Sequence, residues 1–328
     1  MRDVLVEVRD LDVYYYNIKV LSKVSFQVYK GEVYALVGES GCGKTTTANA
    51  ILRILPEIAR VGEQSVINYY LENGDCINLL KMPEKKFSRE IRWREISMVF
   101  QGAQNSLNPT LKVKTHFFET AASHGIMDKE EVYRRAYELL EAVKLDAERV
   151  LNSYPIELSG GMKQRVIIAL ALFLNPRFVI LDEPTTALDV LVQREIISLL
   201  MELKKQFDLT YMLITHDIAL VADIADRVAI MYAGRIVEES SVENIFYDPK
   251  HPYTIALLNS VPKIGDFEKL PEGLPGSPPD FKNLPRGCPF HPRCKYAMEI
   301  CRKLEPSLIE MGDRRIACHL YAEEVSEE

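Results

Sequence analysis

No run of apolar residues in this 328-residue chain approaches the roughly 20 needed to cross a bilayer as a helix. The richest, Val166 to Leu174, is nine long. That excludes a spanning helix, so any membrane role has to pass through a partner. An excess of positive charge is missing too: 40 Lys and Arg against 47 Asp and Glu give a net charge of −7, which argues against wholesale nucleic-acid binding. The N-terminus, Met1-Arg2-Asp3-Val4-Leu5, lacks the layout of a secretory signal, and the expectation is a chain that stays in the cytosol. Cysteine is sparse up to residue 287, with Cys42 and Cys76 only, and then four crowd into the last 41 residues. A cytosolic chain has little use for a disulfide framework, so the crowding needs another explanation. What is present, 47% hydrophobic and 27% charged residues, is the balance of an ordinary globular protein with a sizeable core. The length suits one large domain with additions, or two.

The chain is organised around Gly38-Glu39-Ser40-Gly41-Cys42-Gly43-Lys44-Thr45, a glycine-rich turn between an apolar run, Val33 to Val37, and a helical stretch from Thr46 to Leu55 that stops before Pro56. Three glycines let successive N-H groups turn inward on a polyphosphate, and the start of the next helix adds its dipole. Lys44 would reach the outer phosphates and the Thr45 hydroxyl would sit on magnesium. Ahead of the turn, alternating apolar positions (Val4, Val6, Val8; Val24, Phe26, Val28) point to a small antiparallel sheet. Tyr14, Tyr15 and Tyr16 cannot all face one core on an extended segment, and an exposed ring beside a nucleotide pocket can stack on a base.

Further on, a short strand from Ile96 ends at Gln101, and residues 112–151 carry helical periodicity with charge on the other face. Leu158-Ser159-Gly160-Gly161-Met162 opens a helix to Leu174, about 20 Å long. Its start leaves backbone N-H groups free for an anion, although a serine there is more often a plain cap. Phe178 to Leu181 reads as a strand covered on both faces. It ends in Asp182 and Glu183, suited to a magnesium shell and to orienting or deprotonating a water. Ala187-Leu188-Asp189 begins another helix, and a strand from Thr210 to Thr215 ends at His216. Two anion sites lying apart suggest two nucleotides and a pair of chains, each cradle meeting the other chain's Ser159 turn.

This order of motifs resembles the ATP-binding cassette (ABC) family over residues 1–240. The resemblance implies an α/β fold: an ABC-type P-loop ATPase with a mixed central sheet, an antiparallel β subdomain and a helical insertion at about 102–175. It also implies ATP and Mg2+ as ligands. Residues Gly38 to Thr46 bind phosphate, and Tyr15 (or Tyr14 or Tyr16, one register away) stacks on adenine. Gln101 lies near magnesium with Thr45 and Asp182. Glu183 is the catalytic carboxylate, with Lys44 and His216 assisting. Ser159, Gly160, Gly161 and Met162 close on the partner's ATP, and Asp189 lies in the connecting loop.

From Pro262 to Pro292 the chain holds eight of its 17 prolines and four glycines, a composition poor in regular structure. Cys288, Cys294, Cys301 and Cys318 follow with gaps of five, six and 16 residues. These gaps are wide for a zinc knuckle and compatible with four thiolates around an iron-sulfur cube. His291 and His319 keep a mixed Zn2+ site open. His251-Pro252-Tyr253-Thr254, Leu274-Pro275-Gly276-Ser277-Pro278-Pro279 and the four cysteines together resemble the C-terminal region of oligopeptide and dipeptide importer ATPase subunits, here 241–328. That resemblance implies a 4Fe-4S cluster. It also implies a second ATPase subunit, two membrane permease subunits, an extracytoplasmic peptide-binding protein, no nucleic acid, and a peripheral place on the cytoplasmic face of the membrane. The rivals are a soluble cassette ATPase acting on nucleic acid or ribosomes, an importer for oligosaccharide or nickel, and a redox protein whose cluster is the working centre.

Overall fold

The computed structural model describes residues 3–260 and 274–321; the first part of the proline-rich stretch lies outside them. The chain forms two compact units, one from residues 1–80 with 214–328 and the other from 81–213.

The first unit begins with a long hairpin, β1 (Val4–Tyr15) and β2 (Ile18–Tyr29). Val6, Val8, Leu11 and Val13 are buried on β1, and Val24, Phe26 and Val28 on β2. The expected alternation holds on β2 and from Val6 on β1, but at the start of β1 Leu5 is buried and Val4 half-buried, and a register shift between Val8 and Leu11 resets the phase. β3 (Val33–Val37) is buried throughout and leads into α1 (Lys44–Ile51). β4 (Ala59–Val61) and β5 (Val66–Tyr70) pair with β1, and β6 (Cys76–Asn78) pairs with β5. The helix after the cradle is thus shorter than its apolar pattern predicts. Arg53 turns into the left-handed region (φ 54) and donates to the carbonyl of Leu79, 3.1 Å away, a partner 26 residues on.

The second unit carries α2 (Glu84–Glu90), β7 (Ile96–Val99), and the helices α3 (Val113–Ser123), α4 (Lys129–Ala142) and α5 (Ala147–Asn152). These three lie where helical periodicity was read, with Val132, Ala136, Leu139 and Leu140 buried on α4. α6 (Gly160–Ala171) follows, then β8 (Phe178–Asp182), parallel to β7, α7 (Val190–Gln206), and the start of β9 (Thr210–Thr215), whose last two residues are counted in the first unit. α6 ends at Ala171 rather than Leu174. Asn175 is left-handed (φ 57), and the Pro176 behind it disfavours helical backbone there.

Back in the first unit come α8 (Ile218–Ile224), β10 (Arg227–Tyr232), β11 (Arg235–Ser241), α9 (Val242–Tyr247) and α10 (Pro252–Asn259). β10 runs parallel to β3 and antiparallel to β11. The cysteine-rich segment then adds a small hairpin, β12 (Ile309–Met311) and β13 (Arg314–Ile316), and β13 extends the sheet on the free edge of β11. The C-terminal region is therefore an edge of the same sheet that carries β3. Glu239, 2% exposed, pins this junction by accepting from both Arg227 and Arg315.

Candidate functional site: a glycine-rich loop, a held carboxylate and a cysteine cavity

In the first unit, Gly38 leaves β3 so close to β10 that a Cβ on it would lie 2.2 Å from the carbonyl oxygen of Met231. No larger residue fits without moving the strand that aims the loop. Gly38→Ala is therefore expected to cost about 1–3 kcal/mol of stability and to weaken nucleotide binding by at least about tenfold. Thermal unfolding and a Mg-ATP titration check the two effects. Ser40, Gly41 and Thr45 are exposed, while Gly43 and Lys44 are buried. The Lys44 ammonium donates to the carbonyls of Gly38 (2.7 Å) and Glu39 (3.0 Å), so its charge sits inside the loop rather than beside it. Cys42 is 5% exposed, and burial pushes its thiol up, leaving it neutral next to Lys44. Of the three tyrosines, Tyr15 places its hydroxyl 3.5 Å from Thr46 Oγ1. Tyr14 lies under the Arg60 guanidinium, and Tyr16 is 68% exposed. His216 is exposed just after β9, before Asp217, which caps α8.

In the second unit, Asp182 ends β8 at 1% exposure. Glu183 follows in the left-handed region (φ 48), uncommon for a residue with a side chain, though ten others among the described residues share it. Its Oε2 accepts from Gln101 Nε2 at 2.8 Å and from Thr186 Oγ1 at 2.9 Å. Gln101 and Glu183, 82 residues apart, are thus brought into direct contact. Thr186 is a partner the sequence reading missed, although its place in Pro184-Thr185-Thr186 just after the carboxylate offered a signal. Ser159 accepts from the Met162 N-H (3.3 Å) as the cap of α6, and Ser159 and Gly160 stand exposed at its start. Asp189 caps α7 by accepting from the Val192 N-H at 3.1 Å. The first turns of α6 and α7 also pack together, since a Cβ on Gly161 would lie 2.8 Å from Val192 Cγ1. The helix starts capped by Ser159 and Asp189 therefore lie side by side.

Cys288, Cys294, Cys301 and Cys318 all line one small cavity in the first unit. Gly287 permits this: a Cβ there would lie 2.3 Å from the Cys301 carbonyl oxygen, which accepts the Cys288 N-H at 2.8 Å. Burial raises the thiols of Cys288 and Cys294 and pushes that of Cys318 up to about 11. His251, His291 and His319 line the same cavity. His291 Nδ1 contacts the Cys288 carbonyl at 2.9 Å and His319 Nε2 the Leu304 carbonyl at 2.9 Å. Buried His251, held neutral with its pKa pushed down to about 3 by burial, accepts from the Tyr253 N-H through Nδ1. Among the described residues no group of three or more His, Cys, Asp or Glu side chains is arranged to hold a single metal ion. Nor is any described helix long and apolar enough to cross a membrane.

Comparison with known proteins fits these parts to a family. Residues 21–186 match the ABC transporter family, and residues 237–301 the oligopeptide/dipeptide transporter C-terminal region. The chain is 47% identical over 327 residues to the dipeptide transport ATP-binding protein DppD of Caldanaerobacter subterraneus, covering 98% of each. It is 40% identical to the oligopeptide transport ATP-binding protein OppD of Escherichia coli, covering 98% of this chain and 95% of that one. Among solved structures, a dimeric ATP-binding cassette in a post-hydrolysis state, bound to ADP and phosphate, aligns at TM-score 0.61 and 30% identity over 73% of this chain and 99% of the other. A cassette from Clostridium perfringens, part of an ABC transporter complex, aligns at TM-score 0.64 and 27% identity over 75% and 92%. The chain belongs to the ABC transporter family of ATP-binding subunits, on the oligopeptide/dipeptide branch.

Proposed function

We propose that this subunit hydrolyses ATP to drive import of dipeptides or oligopeptides. It does so as one of two cassettes docked on the cytoplasmic side of two membrane permeases that receive peptide from an extracytoplasmic binding protein. The ATPase domain spans 1–240, with the helical part at about 102–175, and the importer-type region spans 241–328. The observation that carries the hydrolytic reading is Glu183, left-handed in backbone and held at one carboxylate oxygen by Gln101 and Thr186. That grip fixes the direction of a carboxylate suited to align a water and take its proton.

The remaining roles follow from the chemistry of each group. Tyr15 stacks on adenine. The N-H groups from Gly38 to Thr46 hold the phosphates, and Lys44 neutralises charge that grows on them during transfer. His216 contacts the terminal phosphate. Ser159, Gly160, Gly161 and Met162 at the start of α6 grip a nucleotide held by a second cassette, with the Asp189 turn packed beside them. Thr45, Gln101 and Asp182, oxygen donors that suit a hard cation, would hold magnesium, which when bound offsets phosphate charge.

The four thiols fit a 4Fe-4S cluster better than Zn2+. Zinc needs its donors converging on one point at about 2.3 Å, whereas a cube takes one thiolate at each of four separate irons. What supports the cube is four thiols brought to one shared cavity by sequence gaps of five, six and 16 residues. Such a cluster would staple the region that lacks a core of its own.

The relatives named for dipeptide and oligopeptide transport support peptide as the solute over sugar, nickel, nucleic acid or ribosomes. The test is ATP hydrolysis by the subunit assembled with its permeases in proteoliposomes. Dipeptide or oligopeptide plus binding protein is expected to stimulate it severalfold. Stimulation by an oligosaccharide or nickel, with none by peptide, would overturn the assignment.

A further inference from the structure

The cysteine-rich region reaches into the phosphate cradle. Arg293, next to Cys294, sends its guanidinium to Glu39 in a two-pronged pair: Nη1 lies 2.7 Å from Oε2 and Nη2 3.0 Å from Oε1. Glu39 is the second residue of the glycine-rich loop, and its carbonyl accepts from Lys44. The Arg293 side chain is 6% exposed and that of Glu39 20%. Arg293 is itself fixed, with Nε donating to the Pro275 carbonyl at 2.7 Å and Nη1 reaching the Tyr232 hydroxyl at 3.3 Å. A second contact holds the same loop residue from its backbone: the Glu39 N-H donates to the Tyr253 hydroxyl at 3.0 Å. Tyr253, on α10, is fully buried against Tyr232 and Phe290, with ring centroids 4.6 and 5.4 Å away. Phe290 lies between Cys288 and Arg293. All of these residues belong to the first unit.

The sign of the effect follows from charge. The loop must receive a polyphosphate, and Glu39 places a carboxylate within it. Two like charges a few ångströms apart in a partly buried site repel strongly. A guanidinium paired fork-on-fork cancels that carboxylate and fixes its direction.

We propose that Arg293 is a positioning residue for ATP: the C-terminal region clamps the cradle through Glu39, neutralising its charge and fixing the loop from which Lys44 meets the phosphates. This rests on the reading of residues 38–46 as the ATP site. The clamp makes ATP affinity a property of the importer-type region as well as of the cassette.

The test is equilibrium titration of Mg-ATP into the purified full-length chain. Arg293→Ala is expected to weaken binding about tenfold, within the range of ordinary site-to-site coupling. Arg293→Lys, which keeps charge but loses the fork, should weaken it about threefold. Adding Glu39→Gln to Arg293→Ala should recover most of the loss, because the uncancelled carboxylate is then gone and the two changes are not additive. A residue that merely holds the fold together would show no such rescue, and its thermal midpoint would fall in parallel with affinity. Wild-type affinity in Arg293→Ala, or a double variant no better than the single one, overturns the clamp. If Arg293→Ala does not fold, Arg293→Lys with and without Glu39→Gln carries the same comparison. A wild-type chain that fails to bind Mg-ATP would instead overturn the ATP site itself.

Discussion

Glu183→Gln is expected to leave Mg-ATP bound at close to wild-type affinity and to slow hydrolysis by about 10²- to 10⁴-fold, the usual reach of a positioned general base. The substitution is nearly isosteric, and an amide oxygen can still accept from Gln101 and Thr186, which hold the present carboxylate at 2.8 and 2.9 Å. Backbone strain at Glu183 is unchanged, so the fold and its thermal midpoint should hold. What disappears is the basic oxygen. Because ATP then persists, paired cassettes should accumulate, visible by size-exclusion chromatography with Mg-ATP. Gln101→Ala offers a graded companion. It removes one of the two hydrogen bonds holding the carboxylate and should lower turnover by about tenfold, the worth of one such contact. Turnover of Glu183→Gln within tenfold of wild type, with ATP still bound, would give the catalytic role to another residue.

Much of this was legible in the sequence because the informative segments are local. Val33 to Val37, Phe178 to Leu181 and Thr210 to Thr215 are short apolar runs, and each forms a buried strand. The cradle and the Ser159 turn sit where glycine and serine spacing put them, and the periodicity across 112–151 resolves into three helices. What stayed hidden depends on partners far along the chain. α1 stops at Ile51, and just beyond it Arg53 turns left-handed and reaches the carbonyl of Leu79. Glu183 is held by a residue 82 positions earlier, and Glu39 by one 254 positions later. No periodicity encodes such pairs. The β12–β13 hairpin was missed for another reason. The 16-residue gap before Cys318 carries more than ligand spacing. Gly312-Asp313 between Ile309, Met311 and Ile316 is a two-residue hairpin signal, and the hairpin brings Cys318 to the cavity by pairing β13 with β11.

Cys301→Ser should have the second large effect, on the metal content and order of the C-terminal region rather than on catalysis. Cys301 is 8% exposed in the cavity it shares with Cys288, Cys294 and Cys318, and its carbonyl holds the Cys288 N-H. A hydroxyl in its place is a poor ligand for iron, because soft thiolate is what such clusters select. Four thiols without a metal contribute little to hold a segment made of short turns and one small hairpin. With a metal, binding free energy becomes folding free energy for that segment. The purified wild-type chain, prepared without oxygen, is therefore expected to carry about four irons, and Cys301→Ser to lose most of them. The variant should also become sensitive to protease within residues 288–318 while the cassette stays resistant. If instead one zinc per chain is found, the four thiols hold a single ion after movement of their loops. If Cys301→Ser keeps its iron, Cys301 is a core residue beside the cluster and not one of its ligands. The clamp on Glu39 links this region to ATP. Loss of iron should then weaken Mg-ATP binding only as far as it loosens Arg293, and never beyond the effect of Arg293→Ala itself.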